Sequence, residues 1–254
     1  MYDHHRCGEN EQMIHLLRKR NDGMRTILFD LDGTLLPMNQ NVFVNDYFRR
    51  MAKYCAPYGF DPQQLVKDIW KGTAAMVAND GTMTNEERFW QVFHELTGRG
   101  SEADRNLFLS FYETEFDAVK DVCGFTAEAG NLIRDLKARG DDLILATNPL
   151  FPRTATLHRI AWAGLSPDDF RMITTYEMMN TCKPNPEYFR ELCRKAEIVP
   201  EECVLIGNDA VEDAAAAETG MQVFLITDCL ENGTEDALTV PHGSFADART
   251  WLVL

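Results

Sequence analysis

Residues 26–34 of the chain read Thr-Ile-Leu-Phe-Asp-Leu-Asp-Gly-Thr. The run at 26–29 predicts a short buried strand, and the glycine that follows predicts a sharp turn, where Thr34 can bond the backbone. Side chains alternate along a strand with a period of two, so Asp30 and Asp32 are expected to point to the same side. Two such carboxylates suit a nucleophile and a general acid/base.

Downstream of residue 121, short apolar runs alternate with amphipathic ones. We predict strands at 142–148, 172–174, 203–207 and 222–226, and helices at 126–139, 153–163, 186–196, 211–219 and 245–252. This alternation is typical of an α/β fold with a parallel sheet and helices on both of its faces.

Residues 41–121 show the helical period and no strand pattern, which predicts a helical bundle inserted after the first strand. Asp61-Pro62 and Thr84 to Glu87 have the composition of helix starts. Residues 1–23 are polar and mixed in charge, and we interpret them as an N-terminal extension outside the fold.

Three further predicted strand ends or loops carry polar residues, and open α/β sheets place their sites at strand ends. Thr147-Asn148 offers a hydroxyl and an amide to a phosphate. Lys183, fixed by the prolines after it, offers a cation to a carboxylate and a phosphate. Residues 207–213, Gly-Asn-Asp-Ala-Val-Glu-Asp, offer hard oxygen ligands that suit Mg²⁺, with Asp209 and Asp213 on one face of the predicted helix.

Together these motifs resemble those of the haloacid dehalogenase-like hydrolases, over residues 24 to about 230. The resemblance implies a Rossmann-like core with a mobile cap. The spacing of 117 residues from position 30 to position 147 places the insertion between the first two motifs. The expected domains are therefore a catalytic core of 24–37 and 122–254, and a helical cap of 38–121.

The resemblance also implies roles for these residues. Asp30 becomes phosphorylated, and Asp32 protonates the leaving alcohol and then activates water. Thr147, Asn148 and Lys183 bind the phosphate of a small phosphorylated metabolite. Mg²⁺ is held by Asp30, the carbonyl of Asp32 and an acid of 207–213.

Many relatives carry Gly-Asp where this chain has Gly207-Asn208. We therefore expect Asp209 to bind the metal directly, and Asp213 and Asn208 to lie behind it without binding the metal themselves. Glu212 is the alternative direct ligand. The neutral Asn208 lowers the negative charge near the metal.

The formal net charge of −15 argues against nucleic acid and anionic membranes as partners. The odd number of cysteines, seven, and the absence of a Cys-x-x-Cys pair favour a reduced, cytoplasmic protein. The sequence says nothing about oligomeric state.

Several other functions stay open. A phosphomutase of the same family needs the same two aspartates. Halide displacement would not need Asp32 or magnesium, and a phosphonatase would need a cap lysine such as Lys53, Lys67 or Lys71. The 117-residue spacing from 30 to 147 argues against a phospho-receiver domain, and the complete residue set argues against a degenerate binding protein. Within the cap, Trp70, Lys71 and 79–82 are candidate substrate contacts.

Overall fold

The computed structural model describes residues 25–234 and 238–254. Its centre is a parallel sheet of six strands: β1 (Thr26–Phe29), β2 (Asp142–Leu145), β3 (Met172–Ile173), β4 (Cys203–Gly207), β5 (Gln222–Ile226) and β6 (His242–Gly243). The strand order is β3-β2-β1-β4-β5-β6. The chain runs outward from β1 to β3 and returns to β4 on the other side of β1, and this reversal is where such sheets form their ligand crevices.

Both faces of the sheet are covered, as predicted. Ile27 and Phe29 point into one core, which α5 (Ala127–Arg139), α6 (Arg153–Trp162) and α8 (Phe245–Trp251) complete. Leu28 points into the opposite core, which α7 (Pro186–Ala196) and a 3-10 helix at Ala214–Thr219 complete. The prediction of an α/β fold is confirmed.

The regular secondary structure between β1 and β2 consists of helices. It contains α1 (Gln40–Cys55), α2 (Pro62–Val77), α3 (Asn85–Thr97) and α4 (Glu102–Thr114), and a 3-10 helix at Phe116–Val122. Asp61 caps α2, and Thr84 and Glu87 form a reciprocal capping box on α3, so both predicted helix starts are confirmed. We call residues 38–121 the helical insertion.

One predicted helix differs from the structure, and one strand was not predicted. The helix predicted at 211–219 is a turn over 210–213 followed by the 3-10 helix at Ala214–Thr219. The carboxylate of Asp209 accepts hydrogen bonds from the backbone N–H groups of Val211 and Glu212 and so caps this turn. The prediction of Asp209 and Asp213 on one helical face is therefore wrong. Strand β6 was not predicted, because a two-residue His-Gly strand has no apolar pattern.

The helical insertion is fastened to the core at the start of α3. Asn85 is fully buried there, and its side-chain amide donates to the carbonyl of Thr181 (3.2 Å) and the thiol of Cys182 (3.2 Å). Its side-chain oxygen accepts a hydrogen bond from Asn79 (2.9 Å). The loop it holds runs directly into Lys183.

We predict that Asn85→Ala lowers the free energy of unfolding by about 2 kcal/mol, because the substitution leaves buried polar partners unpaired. Urea denaturation measures this loss. Asn45→Ala, at an exposed position of α1, is the matched control and should change stability by less than about 0.5 kcal/mol. Equal losses in the two variants would contradict the role given to Asn85.

Candidate active site

The centre of the site is a buried ion-pair triad. The ammonium group of Lys183, which is 1% exposed, lies 2.9 Å from Oδ1 of Asp30 and 2.6 Å from Oδ1 of Asp213. Asp30 follows β1, and Asp213 follows the turn after β4, so the lysine joins the two strands at the reversal of the sheet. The structure thus brings together three residues that the sequence singled out.

Burial raises the pKa of Asp30 to about 8, with Lys183 opposing this shift and the nearby Asp213 and Asp32 adding to it. Burial alone would lower the pKa of Lys183, but Asp213 and Asp30 raise it well above its usual value. The lysine therefore stays charged, and its charge favours the nucleophilic, ionised form of Asp30.

Asp213 is positioned by the backbone around it. Its second oxygen accepts from the N–H groups of Asn208 (2.9 Å) and Asp209 (3.0 Å). A Cβ atom at Gly207 would lie 2.2 Å from that oxygen, so only glycine lets the carboxylate approach so closely. Asp213 thus holds Lys183 at the edge of the cavity, which it also lines.

Asn208 and Asp209 both line the cavity, and their side-chain oxygens have different partners. The side-chain oxygen of Asn208 accepts a hydrogen bond from the Thr34 hydroxyl (2.8 Å), which also lies 3.4 Å from Oδ2 of Asp30. The amide nitrogen of Asn208 packs over Gly33, where a Cβ atom would lie only 2.3 Å from it. Asp209 instead caps its own turn and accepts from Asn232 (2.8 Å). The side-chain oxygen of Asn208 is therefore linked to Asp30 through the hydroxyl of Thr34.

Asp32 lies in the turn after β1 and lines the same cavity as Asp30, although the turn rather than a continuing strand brings them together. One oxygen of Asp32 forms an ion pair with Arg159, and the other is buried without a hydrogen-bond partner in the described part of the chain. Burial raises the pKa of Asp32, and Arg159 opposes that shift.

Arg159 was missed by the sequence analysis. It lies on α6, is 1% exposed, and its guanidinium carbon lies 4.5 Å from the centre of the Phe151 ring. A single arginine in an amphipathic helix carries no local signal of such a role, since 127 residues separate it from its partner.

Thr147 and Asn148 follow β2 and line the cavity. The carbonyl of Thr147 accepts from Thr174 (2.7 Å) and Tyr188 (3.0 Å), which fixes the backbone that carries its hydroxyl. Asn148 accepts from the backbone N–H of Lys183 (3.2 Å) and donates to Glu212 (3.0 Å). Burial raises the pKa of Glu212 to about 7. Asn148 therefore positions Lys183 as well as facing the cavity.

A cavity of about 530 Å³ opens above these residues, between the strand ends and the helical insertion. Trp70 lines it, whereas Lys71, also a candidate contact, is exposed on α2 and is not part of the lining. Within 79–82, Asn79 is buried and binds Asn85 and the carbonyl of Met83. Lys53 and Lys67 are likewise exposed and outside the lining, so these lysines give a phosphonatase no support.

No metal cluster of three or more His, Cys, Asp or Glu residues is formed within 25–234 and 238–254. Across the same ranges, no helix combines the length and the apolar character that a membrane span requires.

The site combines a lysine-paired carboxylate, a second carboxylate beside it and a deep cavity at the end of a parallel sheet, which defines a hydrolase built on an α/β core. The sequence profile of the haloacid dehalogenase-like hydrolases matches residues 24–220. The chain belongs to this family, as the motifs predicted.

Individual relatives agree with this assignment. The pyrophosphatase PpaX of Bacillus pumilus (strain SAFR-032) is 25% identical over 189 residues, covering 73% of this chain and 75% of that protein. Two solved structures share the fold. A 2-haloacid dehalogenase from Pseudomonas syringae pv. tomato DC3000 has a TM-score of 0.60 and 19% identity, over 91% of this chain and 99% of the other. A predicted phosphoglycolate phosphatase from Haemophilus somnus 129PT has a TM-score of 0.55 and 18% identity, over 89% and 97%.

We predict that Arg159→Met lowers the free energy of unfolding by about 3 kcal/mol, because it leaves the buried carboxylate of Asp32 without its cation. Denaturant unfolding measures this effect. Arg159→Lys should retain part of the stability, and Arg153→Met, at an exposed position of the same helix, should retain nearly all of it. A similar loss in Arg153→Met would show that the ion pair is not the cause.

Proposed function

We propose that the protein hydrolyses a phosphomonoester of a small metabolite through a phosphorylated Asp30. The observation that carries this proposal is the buried contact of Lys183 with Asp30, at 2.9 Å. It pairs a nucleophile with a cation that can also attract a phosphate dianion. Asp32 beside it supports phosphoryl transfer rather than halide displacement, which needs no second carboxylate. A cytoplasmic location belongs to the same proposal.

The two carboxylates have separate tasks in this reaction. An oxygen of Asp30 attacks phosphorus, the bond from phosphorus to the ester oxygen breaks, and Asp32 gives its proton to the departing alcohol. Asp32 then takes a proton from water, the water oxygen attacks phosphorus, and the bond to Asp30 breaks to release phosphate. The raised pKa of Asp32 supports its protonated role in the first step. Thr147 and Asn148 face the same cavity and are proposed to bind the phosphoryl oxygens.

We also propose Mg²⁺ as the cofactor. A carboxylate oxygen of Asp30, the carbonyl of Asp32 and the side-chain oxygen of Asn208 form a donor set of hard oxygens, which suits this ion. Asn208 replaces Asp209 in this proposal, because its oxygen is linked through Thr34 to Asp30. When bound, the ion would neutralise the negative charge of the transferring phosphoryl group.

The helical insertion, residues 38–121, is proposed to act as a cap over this site, and residues 24–37 and 122–254 as the catalytic core. This proposal is supported by the cavity, whose lining combines strand-end residues such as Asp30 with insertion residues such as Trp70.

We predict that the parent protein hydrolyses p-nitrophenyl phosphate in the presence of Mg²⁺ and that Asp30→Asn lowers kcat at least about 1,000-fold, because the nucleophile is lost. Release of p-nitrophenol with and without EDTA measures both effects. Equal rates for the two proteins would refute the mechanism. A phosphomutase would instead move phosphate between positions of a sugar phosphate with little release, which a parallel assay of inorganic phosphate detects.

Two isosteric substitutions, one that adds a negative charge and one that removes a negative charge, test which residues bind the metal. Asn208→Asp should lower the Mg²⁺ concentration for half-maximal activity about tenfold, since it adds a charged ligand. Asp209→Asn should leave the half-maximal Mg²⁺ concentration within about twofold of that of the parent protein, because asparagine also caps the turn. The Mg²⁺-induced rise in melting temperature provides a readout independent of activity. A large effect of Asp209→Asn with none of Asn208→Asp would restore Asp209 as the ligand.

A further inference from the structure

Away from the strand ends, the cavity is predominantly aromatic. Ten aromatic side chains line it, contributed by the helical insertion and by the loops after β2 and β3. Most of them also pack in the core, but Trp70 is 50% exposed, and its ring centre lies 5.3 Å from that of Phe48. Trp70 therefore offers a ring face to a ligand at little cost to the core.

The same part of the cavity is poor in positive charge. Its charged side chains are those of Glu86, Glu102, Glu177 and Arg105. Burial raises the pKa of Glu86, and the charge of Glu177 adds to this shift, with Arg105 opposing it. One oxygen of Glu177 accepts from the backbone N–H of Arg153 (2.8 Å), and the other is buried without a hydrogen-bond partner in the described ranges.

A second anionic group on a substrate would be placed among these carboxylates. Like charges in a partly desolvated cavity repel strongly, because little water screens them. A leaving group as small as glycolate or phosphate would also leave much of the 530 Å³ unfilled and the aromatic rings without contact. Charge and size therefore argue against the kinds of substrate that the names of two relatives indicate.

We propose that the substrate is a phosphomonoester of an aromatic or heteroaromatic alcohol that is neutral or cationic and carries no second phosphate or carboxylate. Its phosphate lies at Asp30, and its ring lies against Trp70. This inference rests on the proposed function, since it specifies the substrate class of the same site.

A panel of phosphate substrates tests the substrate class. Its two alkyl phosphates, 2-naphthylmethyl phosphate and 2-phosphoglycolate, have similar leaving oxygens, whereas inorganic pyrophosphate has a better leaving group. With inorganic phosphate release as the assay, kcat/KM for 2-naphthylmethyl phosphate should exceed that for 2-phosphoglycolate and for inorganic pyrophosphate at least about tenfold. A higher kcat/KM for either of the two substrates with a second anionic group would overturn the proposal.

Two cavity variants separate the ring contact from the charge. Trp70→Ala should raise the KM for 2-naphthylmethyl phosphate about tenfold and leave the KM for ethyl phosphate unchanged. Glu86→Gln should raise kcat/KM for 2-phosphoglycolate relative to ethyl phosphate. Phe125→Ala and Glu95→Gln, at exposed positions outside the cavity lining, are the matched controls. Equal effects of Trp70→Ala on both substrates, or no relative gain in Glu86→Gln, would contradict the proposal.

The outcomes also distinguish the aromatic substrate class from the proposed function, on which it rests. If no phosphomonoester is hydrolysed, or if Asp30→Asn matches the parent, the proposed function fails. If hydrolysis depends on Asp30 but phosphoglycolate or pyrophosphate is the best substrate, the proposed function stands and the aromatic substrate class is wrong.

Discussion

A lysine ammonium enclosed between two carboxylates is the constraint on which the site depends. Withdrawing such a charge from water costs several kcal/mol, which only close and well-oriented partners offset. Asp30 and Asp213 provide them, at 2.9 and 2.6 Å. The carboxylate of Asp213 occupies the space that a side chain at position 207 would fill, so this position requires glycine. The side-chain oxygen of Asn148 accepts a hydrogen bond from the backbone N–H of Lys183. The ends of three neighbouring strands are thus arranged around one cation.

Much of this architecture could be predicted from local patterns. Apolar runs predicted strands β1 to β5, and Asp61 and Thr84 marked the helices that they cap. These features depend on side chains a few residues apart, so the sequence alone displays them. The motif at 26–34 also indicated the family, which the profile over 24–220 confirms.

The remaining features depend on tertiary contacts that no local pattern records. Arg159 meets Asp32 only because α6 packs beside the turn after β1. The stretch at 211–219 has a helical composition, but it begins with a turn in which Asp213 accepts from the N–H groups of Asn208 and Asp209 and binds the ammonium group of Lys183. Within the same turn, Asp209 binds the N–H groups of Val211 and Glu212, and Asn208 is linked through Thr34 to Asp30. Spacing in the sequence could not distinguish these two neighbours.

The route of the chain into the helical insertion has a consequence for protein engineering. The backbone N–H of Gly124 donates to the carbonyl of Pro37 (2.7 Å), and Met38 pairs with Cys123 in an antiparallel bridge. The chain therefore leaves and rejoins the core at a single point, like a stem below a loop. A segment grafted onto this stem would also have to replace the contacts of Asn85 with the loop that leads into Lys183. The walls of the cavity and the position of its cation are thus linked, and a chimera must preserve both.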